Sequence, residues 1–104
     1  MMNIKFSYLY RDAGNYKAFG EVIFENPEGI AIEELEQLIR SKLIDAQWFY
    51  AREWTLPDLH FEKWDDDLDH GFHEFEGLTY TAEAANIDLT LSNFRELVKN
   101  TSWI

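Results

Sequence analysis

The chain contains no cysteine, which excludes disulfides, a thiol nucleophile and thiolate metal ligands. Two prolines and five glycines in 104 residues leave no room for a low-complexity linker or a collagen-like repeat. No apolar run approaches the roughly 20 residues a membrane-spanning helix needs. Met1-Met2-Asn3-Ile4-Lys5 passes straight into alternation rather than into the apolar core of a secretion signal. Together these absences make the cytoplasm the expected compartment. Positive charge is scarce as well: nine Lys and Arg stand against twenty Asp and Glu, for a net charge of −11. Phosphate-rich surfaces are held by clustered cations, and here they are scattered, so neither nucleic acid nor an anionic membrane is an expected partner.

What is present is a hydrophobic fraction of 46% and an aromatic fraction of 16%, far above the level of a disordered tail. A single domain over residues 1–104 is expected, burying roughly 60–65% of its extended-chain surface. Charge is distributed unevenly along it. Between Trp64 and Phe94 lie Asp65, Asp66, Asp67, Asp69, Glu74, Glu76, Glu83 and Asp88, without one Lys or Arg. Four of these acids crowd into Trp64-Asp-Asp-Asp-Leu-Asp-His70. Such a block repels itself, so it is either fully solvated or neutralised by another molecule.

Residues 3–11 alternate, with Ile4, Phe6, Tyr8 and Tyr10 on one side, and Tyr16 to Phe24 returns after Asp12-Ala13-Gly14-Asn15. This pattern predicts an opening β-hairpin. Ile32, Leu35, Leu38, Ile39 and Leu43 recur at helical spacing, with acids early and Arg40 and Lys42 late, which predicts a helix over roughly 31–44. Gln47 to Trp54 reads as a third strand presenting Trp48, Tyr50, Arg52 and Trp54 on one face. Residues 58–63 fit a short strand or a turn, and Phe72 to Thr81 fits a strand. Leu91, Phe94, Leu97 and Val98 predict a short C-terminal helix capped by Thr90 or Ser92. The expected fold class is α+β: a two-layer domain with an antiparallel sheet, and one long and one short C-terminal helix packed on one face.

Several constellations bear on chemistry. Aligned at Asp65, the acidic stretch puts Asp67, Asp69 and Glu76 at the third, fifth and twelfth positions of a calcium loop, but His70 stands where the turn glycine belongs, with Gly71 one residue late. His60, His70 and His73 fall close together beside Glu74. On a helix, His70, His73 and Glu74 would form a plausible metal site, whereas on a strand the two histidines would point to opposite faces. No His-Glu-x-x-His order, nucleophile elbow or phosphate loop occurs. No cofactor and no catalytic residue are therefore expected.

Phe6-Ser-Tyr-Leu-Tyr-Arg-Asp-Ala-Gly-Asn-Tyr-Lys17, Phe19-Gly-Glu-Val-Ile-Phe24 and Asp58-Leu-His-Phe-Glu-Lys-Trp-Asp65 resemble a group of small, acidic, uncharacterised bacterial proteins with no assigned activity. The resemblance covers about the first two-thirds of the chain and implies no functional residue. In size, acidity and tryptophan content the chain is also similar to toxin-immunity and phage-encoded inhibitor proteins, a likeness of composition alone.

The residues therefore imply a non-enzymatic binding protein whose acids meet a basic protein surface. Asp65, Asp66, Asp67 and Asp69 would engage Lys and Arg, with Trp54 and Trp64 as aromatic anchors. A small metal protein using His70, His73 and Glu74 is the alternative.

Overall fold

A computed structural model describes residues 2–11, 14–59 and 72–103. The opening hairpin forms as the alternation predicts: β1 (Asn3–Arg11) pairs antiparallel with β2 (Lys17–Phe24), from Ile4 opposite Phe24 to Arg11 opposite Lys17. Helix α1 (Ile32–Lys42) follows, then β3 (Trp48–Tyr50), a 3-10 turn (Ala51–Trp54), β4 (Phe72–Thr81) and helix α2 (Leu91–Lys99). The four strands form one antiparallel sheet in the order β2-β1-β4-β3. Among the described residues the architecture is α+β, and the two helices differ little in length, with 11 and 9 residues.

One face of the sheet carries the core. Ile4, Phe6, Tyr8 and Tyr10 of β1 are buried there beside Val22 and Phe24 of β2. Phe94 of α2 stacks on Phe24 at 4.6 Å between ring centroids and meets Phe6 edge-on at 5.6 Å. From α1, the Arg40 guanidinium lies over the Phe75 ring, and Leu35 and Ile39 join the same buried cluster.

Local chemistry explains the helix ends. Thr90 Oγ1 accepts from the Asn93 amide and caps α2 as expected. Ala31, at the N-cap of α1, supplies no side-chain cap, and the Ile32 amide donates instead to the Tyr80 hydroxyl at 3.1 Å. The turn before it is held by buried Asn26, whose amide group bonds both the N–H and the C=O of Ile30. Gly29 in that turn takes φ 66°, which a side chain would resist.

Strand β4 contains an irregularity that decides which side chains face the core. Ser7 pairs with Gly77 but Tyr8 pairs with Phe75, so Glu76 is an extra residue. Side chains alternate along a strand, so one extra residue reverses the faces beyond it. Leu78 faces inward on one side of this bulge, and Phe75 and His73 face inward on the other.

The third strand is shorter than its composition suggests. It ends at Tyr50, and the chain tightens into the 3-10 turn, which closes on Thr55 at φ 60°. Trp48, Tyr50 and Trp54 therefore do not share an extended face. Trp54 is carried into the interior, fully buried and stacked on Phe49 at 4.8 Å, with its indole N–H donating to Thr101 Oγ1 at 2.7 Å. Of the short strand or turn expected over 58–63, Asp58 and Leu59 belong to no strand, and the rest lies outside the described residues.

Candidate functional site

Trp64, Asp65, Asp66, Asp67, Asp69 and His70, expected to carry partner or metal contacts, lie outside the described residues. The structure does describe both flanks of that segment. After the 3-10 turn, Leu56 to Leu59 cross the core face of the sheet. The Tyr8 hydroxyl donates to the Pro57 carbonyl at 2.6 Å, and Leu59 sits against Gly20 so closely that a Cβ there would come within 2.7 Å of its methyl carbon. The Leu59 amide then donates to Nε2 of His73 at 3.0 Å. That hydrogen bond ties together the described chain on either side of residues 60–71.

His73 is buried among aromatic rings, 5.2 Å from Tyr10, 5.8 Å from Tyr8 and 6.0 Å from Phe49. Its Nε2 also lies 3.3 Å from Asp58 Oδ1. One nitrogen cannot serve both neighbours at once. A neutral Nε2 accepts from the amide, whereas a protonated Nε2 would donate to the carboxylate. The contact from the Leu59 amide is the shorter of the two. Asp58 in turn lies 3.5 Å from the Arg52 guanidinium. Burial, followed by the nearby Asp58 charge, raises the Tyr8 phenol well above its ordinary range, so it remains a donor at all physiological pH.

This geometry corrects two expectations. Trp54, expected as an exposed anchor, is part of the core and touches no solvent. Burying its large apolar ring against Phe49, Phe94 and Trp103 outweighs display at the surface. His73 and Glu74, which the alternative reading brings to one metal site, are successive residues of β4 and point to opposite faces. Glu74 meets the Arg11 guanidinium at 2.8 Å on the side away from Tyr8 and Tyr10. The pair cannot hold a common ion in this strand. Among the described residues no group of three or more His, Asp or Glu is arranged to hold a metal.

Tyr8, Tyr10 and Asp58 were not singled out from the sequence. The available signal was the run Ile4, Phe6, Tyr8, Tyr10 itself: hydroxyls at inward positions of a half-buried strand require polar partners nearby.

Beyond this cluster, the described surface divides its charges unequally. All four arginines meet a carboxylate: Arg11 with Glu74, Arg40 with Glu36, Arg52 with Asp58 and Arg95 with Glu34. Lys5 is shared by Glu83 and Glu21, and these hydrogen bonds raise its pKa. Its bond to Glu83, helped by Thr81, lowers that carboxyl's pKa. A cleft of 630 Å³ between the 3-10 turn and α2 is lined by Thr55, Asn93, Asn100 and Thr101, and among the described residues Glu53 and Glu96 are its charged groups. No helix among the described residues is long and apolar enough to cross a membrane.

Compared with known proteins, the chain matches no protein-family model, no curated protein and no solved structure.

Proposed function

We propose that this chain is a non-enzymatic, acidic protein-binding module of the inhibitor or immunity type, which occludes a basic, nucleic-acid-handling surface of a bacterial partner. The observation that carries this reading is the allocation of cations. The arginines and Lys5 are already matched by the protein's own carboxylates. Lys17, Lys42 and Lys99 stand apart, on β2, α1 and α2. A net charge of −11 then leaves an excess of acids for a cationic partner to neutralise.

Asp65, Asp66, Asp67 and Asp69, with Trp64, are the proposed contact residues. The hydrogen bond between Leu59 and His73 supports this assignment, because tying the two flanks together lowers the freedom the intervening residues lose on binding. In this proposal both helices occupy the Phe6 side of the sheet, consistent with Phe94 on Phe6 and Phe24 and Arg40 over Phe75. Electrostatic attraction would accelerate encounter, and desolvated contacts would slow release.

The test is capture from the native host by immobilised protein, with the captured partner identified and its association rate measured against salt. A partner with a cationic surface is expected, with association slowing as salt rises. Reversing Asp65, Asp66 and Asp67 to Lys should abolish capture while the circular dichroism spectrum stays unchanged. Undiminished capture by that triple variant would overturn the proposal.

A further inference from the structure

The two edges of the sheet are finished differently. At the β3 edge the chain closes on itself: Ile44 and Trp48 exchange both backbone hydrogen bonds, at 2.7 and 3.0 Å. The Trp103 indole donates to the Lys42 carbonyl beside them. At the β2 edge, among the described residues, only Ile23 is covered. Its amide donates to Asn86 Oδ1 at 2.8 Å, and its carbonyl accepts from the Asn86 amide at 3.1 Å. In an antiparallel ladder, residues bonding to the same side recur at every second position. Lys17, Phe19 and Glu21 therefore direct their N–H and C=O groups outward as Ile23 does. Among the described residues nothing bonds to them there.

This open stretch has definite limits and an internal symmetry. Asn86 seals it at Ile23, and before Lys17 the chain turns, with Asn15 at φ 66°. Its centre is Phe19, 64% exposed. Lys17 and Glu21 flank it at equal spacing on the same face of the sheet. When a second copy runs antiparallel along this edge, Phe19 lies opposite its counterpart. Lys17 then faces Glu21 of the second copy, and Glu21 faces Lys17 of the second copy. Every outward backbone group is paired without a register shift.

We infer that two copies of this chain associate through residues 17–21 of β2, across a two-fold axis at Phe19, joining their four-stranded sheets into one. The contact is isologous, so each favourable pair occurs twice. A strand carrying charge of a single sign fits this edge less well, because it would set like charges against either Lys17 or Glu21. Repulsion between two chains of net −11 opposes the contact, and physiological salt confines that repulsion to about 8 Å.

Sedimentation velocity of the full chain at physiological salt, from micromolar to near-millimolar concentration, provides the test. The wild-type chain should pass from monomer to dimer. Lys17→Glu and Glu21→Lys should each weaken the dimer at least about tenfold, since each sets like charges face to face. Lys5 keeps Glu83 as partner in the Glu21→Lys variant. An equimolar mixture of the two variants should recover a one-to-one dimer, because every carboxylate again faces a cation. That recovery also shows that neither variant has lost its fold. A wild-type chain that stays monomeric, single variants that dimerise undiminished, or a mixture that fails to recover would each overturn the inference.

Discussion

The inward side of β1 meets two different environments. Around Ile4 and Phe6 it packs on Phe24 and Phe94, ring on ring, with no hydrogen bond in the contact. Around Tyr8 and Tyr10 it meets Pro57, His73 and the backbone leading to Leu59, and direction matters: hydroxyl to carbonyl, amide to imidazole. The first end is held by burial, which is proportional to area and indifferent to orientation. The second is held by bonds that hold only with the right atom in the right place, because a buried polar group left without its partner is costly. The apolar end therefore serves as foundation. The polar end fixes Pro57 and Leu59 against β1 and β4.

That contrast can be broken at either end. Phe94→Ala, at the dry end, should cost the most, about 3–5 kcal/mol in urea unfolding, through lost transfer energy and the cavity left between Phe6 and Phe24. A loss below about 1 kcal/mol would mean that Phe94 does not bridge helix and sheet. At the polar end, His73→Leu keeps an apolar side chain of comparable bulk but removes the acceptor for Leu59. It should cost about 1–3 kcal/mol, and amide exchange at Leu59 should accelerate far more than at Phe6. Equal acceleration at both would erase the distinction.

The smallest effect tests a contact outside both environments, on the face away from the core. Glu83 has its pKa lowered by Lys5. A depressed carboxyl pKa favours the fold above the unfolded value of 4.5, and this contribution fades as pH falls through the lower folded value. Lys5→Met should therefore flatten a small part of the rise in Tm on going from acid to neutral pH and leave the neutral core untouched. An unchanged acid limb in the variant would show that this exposed pair contributes nothing measurable.

Where the sequence carries strong periodicity it is a sufficient guide. The hairpin, α1, the Phe72–Thr81 strand and the Thr90 cap all follow from alternation, helical spacing or capping chemistry within a few residues of one another. What alternation could not reveal is where it is interrupted. Trp48, Phe49 and Tyr50 continue a strand pattern into Trp54, yet the left-handed turns at Asp45, Ala46 and Thr55 leave room for only three extended residues. The face of Trp54 is set by the 3-10 turn and not by a period of two. The site was legible only in outline. The histidines and carboxylates were visible as residue types, but the partition of His73 to the core and Glu74 to Arg11 depends on pairing between β1 and β4, far apart in the chain. The acid-lined cleft likewise draws on the 3-10 turn and α2, which no local pattern brings together.

The extra residue at Glu76 has a consequence for how this protein can change over time. Composition in the first half of β4 tolerates exchange wherever size and polarity are kept. Its length does not: losing or gaining one residue between Phe72 and Gly77 would rotate everything upstream by half a turn, sending the imidazole to the outside and a carboxylate into the rings around Tyr8. Insertions and deletions are therefore barred from this short span even where substitutions pass.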